Sequence, residues 1–210
     1  MSIEQDLRSQ WTGLRDRLQA KGLLDNERDS LSLRIPGSEA MWFGLARDDA
    51  PQRMVWRAAP REAEAHAAVY AARGDVGAIA QGGGRFGRCL ADFGGAMPQV
   101  FDEQARHLGP MGPPGAGVGD VPSALRQGGN VLLLQGRPVC LGMTPLRLAL
   151  NAELFEKCAK AYVLAVAGSG RVRPLPWIVR LVANRRLAKD RQRAATRFVQ
   201  GHLPEEINGY

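Results

Sequence analysis

The chain has 210 residues, 45% of them hydrophobic and 23% charged, which excludes a disordered or collagen-like polymer and fits one large domain or two small ones. Its net charge of +7 is uneven: nine basic and three acidic residues fall in the last forty positions, so the basic character belongs to a tail. No apolar run approaches the ~20 residues of a membrane-spanning helix, and the opening MSIEQDLRSQW has no apolar signal segment, so a cytoplasmic location is expected.

Ile3, Leu7, Trp11, Leu14 and Leu18 recur at helical spacing and predict an amphipathic helix ended by Gly22. In DSLSLRIPG, Leu31, Leu33 and Ile35 alternate with Ser30, Ser32 and Arg34. That pattern predicts a strand with one face buried, stopped by Pro36-Gly37. Met41 to Ala46 and Arg53 to Ala58 read as two further strands. Pro60 sits where a helix often begins, and the Ala- and Glu-rich stretch from Arg61 to Arg73 fits that helix. VGAIAQ, closing at Gln81, is a short apolar strand running into GGGRFGRC. A helix is predicted across Pro98 to His107, and the Gly- and Pro-rich stretch from Gly109 to Pro122 is predicted as loop. NVLLLQG is a continuous apolar run, typical of a strand buried on both faces, with VCLG as its hairpin partner across Gly136-Arg137-Pro138. Thr144-Pro145 supplies an N-cap and a first helical residue. The helix is predicted to run to Ala167, with Leu146, Leu150, Leu154, Cys158 and Tyr162 near one face. Consecutive strands without intervening helices predict a mixed, largely antiparallel sheet covered by helices. The division expected is a domain over 1–170 and a basic helical extension over 171–210, packed on or between subunits.

Cys89, Cys140 and Cys158 are odd in number and form no CxxC pair. They read as reduced thiols used as small hydrophobes. Gly82 to Gly87 matches G-x-G-x-x-G after a strand. The strand does not open a βαβ series and no acidic residue ends a following strand, which speaks against a dinucleotide loop.

Three stretches together resemble the class II aldolase/adducin family, which includes fuculose-phosphate and ribulose-phosphate aldolases and epimerases. GLLDNERDSLSLR is similar to the family's GL…GNxSxR segment, and PREAEAHAAVYAARGDVGAIAQGGG to its ExxxH…Y…RPDVxAVVHxH segment. NVLLLQGRPVCLGMTPLRLALNAELFEKCAKAYVLA is similar to its LLxxHG…ExxExxA segment. The resemblance covers most of Lys21 to Ala167 and implies a three-layer α/β/α sandwich. It also implies a catalytic glutamate at Glu62, a helix histidine at His66, and the three zinc histidines at Gln81, Gly83 and Gln135. None of the three is a histidine here, so no cofactor is expected and zinc is unlikely, because divalent-metal affinity at such sites comes from imidazole and thiolate. The tyrosine that the family supplies from a neighbouring subunit would fall near Asp102. Some family aldolases also use a tail tyrosine, but the position of Tyr210 alone does not carry that role.

Two functions follow as expectations. One is a divergent lyase or isomerase on a small oxygenated or anionic substrate, without tightly bound zinc. In it Glu62 would be the base, and Ser30, Ser32, Arg34, Arg61, His66, Gln81, Gly83 and Gln135 would form the substrate site. The other is a non-catalytic binding or scaffold protein of the adducin type. Residues 171–198 could then meet a partner, nucleic acid or a membrane surface, although a solvated or docked basic helix is favoured. A homo-oligomer is expected, a tetramer by resemblance.

Overall fold

The computed structural model describes residues 3–206. Six strands form one sheet: β1 (Ser30–Arg34), β2 (Ala40–Leu45), β3 (Gln52–Val55), β4 (Ala78–Gln81), β5 (Val131–Leu134) and β6 (Arg137–Gly142). Their order is β3-β2-β1-β4-β6-β5, and all five pairings are antiparallel. The only parallel element among the described residues is an isolated bridge between Gly115 and Leu134.

Helices cover both faces. α1 (Ile3–Ala20) and α5 (Pro145–Ala167) pack on one side, and α2 (Glu64–Ala72) and α4 (Val121–Leu125) on the other; α3 (Arg85–Cys89) follows β4. The sheet therefore separates two cores. Trp11, Leu14 and Leu18 of α1 meet Leu31, Leu33, Val131, Leu133 and Phe155 in the first. Met41, Phe43, Val69, Ile79, Leu132 and Leu141 form the second. Alternate side chains of β5 enter alternate cores, which is why its sequence is apolar throughout. Both faces of β1 are buried as well, contrary to the half-exposed strand predicted. Its serine face lies under α2 and is satisfied there by hydrogen bonds.

Several local expectations need correction. Leu146 and Leu150 are 45% and 42% exposed, whereas Leu148, Ala149, Ala152, Phe155 and Ala159 form the buried face of α5. Stepping strictly by four residues drifts ~40° per step around a helix of 3.6 residues per turn, so the predicted row lies off the core at Leu146 and Leu150 and winds onto it at Cys158, which is buried. The stretch predicted as loop up to Pro122 ends in a 3-10 turn at Val118–Asp120 and enters α4, with Pro122 in the first turn, where a missing N–H costs nothing. The helix predicted over Pro98 to His107 is a short turn with π-type bonding at Gln104–Leu108. The β5–β6 hairpin turns on Gln135-Gly136, not on Gly136-Arg137-Pro138. Both turn residues have positive φ, 53° and 72°, the requirement of a two-residue type I′ turn.

Thr144 caps α5 as predicted, its Oγ1 accepting from the Arg147 N–H at 3.1 Å. The basic stretch forms α6 (Trp177–Val199). It buries Ala183, Leu187, Ala194 and Phe198 against the same chain. Arg191 donates to Asp75 at 3.1 Å, and Asp75 is also held by two 2.7 Å bonds from the buried Arg73. Burial alone would raise the Asp75 carboxyl, but Arg73 and Arg191 outweigh it and hold it below the usual carboxylate range.

Candidate functional site

The ends of β4 and β1 and the β5–β6 turn meet at one edge of the sheet, beside the entry to α2. Together they enclose a cleft of about 780 Å³. Gln81 closes β4 opposite Ser30 of β1 and Val139 of β6, which fixes its side chain at this edge. Gln135 reaches the cleft from the I′ turn. Arg61 and Glu62 reach it from the 3-10 turn that Pro60 opens. The structure thus brings Arg61, Glu62, Gln81 and Gln135 to a common cleft.

Gln81 is only 7% exposed, yet its side-chain amide has no hydrogen-bond partner among the described residues. The enclosed, unpaired side-chain atoms lie elsewhere in the described residues, so the Gln81 amide opens onto the cleft, where water or a ligand can pair with it. Arg61 and Glu62 are exposed and make no ion pair among the described residues. Sequence reasoning missed Arg28, Arg47 and Arg137, which also line the cleft. Arg137 is positioned by Asp29, a fully buried carboxylate that accepts from it at 2.8 Å, and by the Arg28 carbonyl at 2.7 Å. Arg47 is held only loosely by Glu27, at 3.8 Å. Four arginines against Glu27, Glu62 and Glu64 suit an anionic ligand. Arg137 flanks a turn and Asp29 precedes a strand, so only the register of the sheet could have brought them to notice.

Ser30, Ser32 and His66 lie beneath the cleft and bond to one another. The His66 ring accepts or donates at Nε2 to Ser30 Oγ (2.9 Å) and at Nδ1 to Ser32 Oγ (2.7 Å), and Ser32 Oγ also meets Tyr70 OH at 2.9 Å. His66 is 0% exposed and packs edge-on against Phe43. Burial, with a smaller push from Arg137, lowers its pKa to about 3, so the ring is neutral near pH 7. Burial likewise raises the Tyr70 phenol.

Arg34 lies at the far end of β1. Its guanidinium stacks over Trp56 and Phe198 at 5.0 and 5.1 Å and donates to the Gly74 carbonyl, away from the cleft. Gly83 has φ +92°, and a Cβ there would come within 2.6 Å of Pro138. The ring of Pro138 fills the space a side chain at 83 would need. Among the described residues no group of three His, Cys, Asp or Glu side chains is clustered as a metal ion requires.

The glycine loop also has a defined role. Glu156 of α5 accepts from the N–H groups of Phe86 and Gly87 at 2.7 and 2.9 Å, at the start of α3. A Cβ on Gly84 would lie 2.4 Å from that carboxylate. The donors a dinucleotide phosphate would use are already taken. Asp102 is exposed in the turn before Gln104, and Tyr210 lies outside the described residues.

No family model matches the sequence, and no curated protein matches it. Solved structures do match. An L-fuculose 1-phosphate aldolase aligns with a TM-score of 0.76 at 17% identity, over 90% of this chain and 98% of its own. The L-fuculose 1-phosphate aldolase of Glaciozyma antarctica PI12 aligns at 0.70 and 19% identity, over 92% and 87%. An aldolase II superfamily protein of Pseudomonas syringae aligns at 0.68 and 13% identity, over 98% of each chain. The six-stranded antiparallel sheet between two helical layers is therefore the class II aldolase fold.

Proposed function

We propose that the chain is a divergent lyase or isomerase, acting without tightly bound zinc on a small oxygenated, anionic substrate held in the Gln81 cleft. The observation that carries this reading is the Gln81 amide, which faces a cleft rich in arginine and has no protein partner among the described residues. Such a group is satisfied by a polar ligand, and the arginines set the sign of that ligand's charge. The side chains at the three positions of the family's zinc histidines do not suit zinc. Gln81 and Gln135 offer neutral amide oxygens, and position 83 has no room for a side chain.

In this reading Arg61 and Arg137 hold the substrate's carboxylate or phosphate. Glu62 takes a proton from the carbon next to a carbonyl. The amide N–H groups of Gln81 and Gln135 donate to the oxygen on which charge develops. Ser30, Ser32 and His66 support the floor of the site and do not touch substrate.

A second reading rests on α6, whose first two turns expose Trp177 (68%), Ile178 (50%), Val179 (38%) and Val182 (46%). Such a patch beside a basic helix suits an interaction surface, and the protein would then be a binding or scaffold protein. The same patch is where a homo-oligomer would pair, which light scattering at micromolar concentration tests.

The deciding experiment is native mass spectrometry of the purified protein, followed by isotope exchange. The lyase reading expects a co-purifying small anion that is lost in Gln81→Ala. It also expects deuterium exchange at that ligand's carbon, abolished in Glu62→Gln. An empty cleft, with vesicle or nucleic-acid binding that Trp177→Ala weakens, would replace it with the scaffold reading.

A further inference from the structure

A second cavity, of about 430 Å³, lies at the other end of β6. β6 starts at Arg137 in the cleft and runs into Met143 on the wall of this cavity. Six residues at ~3.3 Å each separate the two by roughly 20 Å. Its volume falls within the range of small-molecule sites.

Part of the wall is apolar, built by Met143, Leu187, Ala194 and Pro204. Four arginines also line it. Arg106 donates to the buried Asp190 at 2.6 Å, and Arg147 donates to His107 Nδ1 at 3.1 Å. Arg197 lies 3.7 Å from Glu205. Arg193 makes no ion pair among the described residues. His107 is a neutral acceptor here, because burial and the adjacent Arg147 and Arg106 bring its pKa down to about 4.

At the mouth the chain inserts a carboxylate of its own. Glu206 accepts from the Thr144 hydroxyl, at the N-terminus of α5. The first turn of α5 contains no acidic residue, so this contact, made from 62 residues away, puts negative charge at the positive end of the helix. A cation-lined cavity with an apolar wall and a carboxylate already at its mouth defines a ligand type. We propose that this cavity binds a small organic carboxylate with an apolar body, and that Glu206 occupies the carboxylate position until the ligand displaces it. This site is separate from the Gln81 cleft and does not depend on the function assigned there.

Isothermal titration of the full chain with hexanoate, and separately with inorganic phosphate, tests it. Hexanoate binds at one per chain. Glu206→Ala tightens binding about ten-fold by removing the internal competitor, and Arg193→Ala, at an exposed position, weakens it about ten-fold by removing a charged donor. Arg61→Ala in the cleft leaves it unchanged. Absence of hexanoate binding even in Glu206→Ala overturns the proposal. So does binding indifferent to Arg193→Ala, or uptake of phosphate with hexanoate excluded.

Discussion

Replacing His66 with leucine removes two hydrogen bonds while keeping a similar buried volume. Ser30 Oγ then loses its partner, and Ser32 Oγ keeps only Tyr70. An orphaned buried hydroxyl costs about 1–3 kcal/mol, and loss of the edge-on contact with Phe43 adds about 0.5–1.5 kcal/mol. The expected loss is about 2–4 kcal/mol, or roughly 5–15 °C in Tm for a chain of this size. Urea unfolding followed by circular dichroism measures it. Adding Ser30→Ala to the leucine variant removes the orphaned hydroxyl and should recover at least ~1 kcal/mol, while Ser32 keeps its bond to Tyr70. A leucine variant within ~0.5 kcal/mol of the parent would show that the triad does not hold α2 to β1, and the reasoning would fail.

Acid stability follows from the same ring. The folded pKa of His66 is about 3, against 6.5 when unfolded, so between those values the unfolded chain binds a proton that the folded chain refuses. Its contribution is complete above pH 6.5 and is lost as the pH falls toward 3, at up to ~1.4 kcal/mol per unit. His66→Leu should flatten that slope, and equal slopes in the two proteins would contradict it. Asp75→Ala leaves the buried Arg73 without its carboxylate and leaves Arg191 of α6 with only the Gly128 carbonyl. About 3–5 kcal/mol should be lost, read from thermal melts; a loss below ~1 kcal/mol would mean that the pair is replaceable. Gln135→Asn places a residue suited to positive φ in the I′ turn and should add about 0.5 kcal/mol in urea titrations while weakening ligand binding in the cleft. Unchanged stability would show that Gln135 bears no strain at φ 53°.

The strands, α1, the α5 cap and the type of the sheet were legible because each is written in local sequence. Leu7, Trp11, Leu14 and Leu18 are all buried, and Thr144 caps the helix it precedes. The site was legible only in part. Gln81 and Gln135 sit at strand and turn ends, where a resemblance could place them. The cleft's Arg28, Arg47 and Arg137 arrive by register and turn geometry, which no short window contains. Ser30, Ser32 and His66 look like binding groups when read singly. Only the packing of α2 on β1 shows that they satisfy one another. The second cavity joins residues 106 to 206 and could not be seen before α6 was docked.

The meeting of Gly83 with Pro138 also governs the order in which the chain just beyond β4 can be altered. Any side chain at 83 must displace a ring whose own strand is bonded on both edges, and must also accept a left-handed backbone. Position 83 is therefore conditional on position 138. With the proline in place, replacements at 83 are strained, whereas trimming Pro138 first opens the space they need. A library that varies position 83 alone would find it intolerant, and only paired changes, proline first, would place a new side chain there.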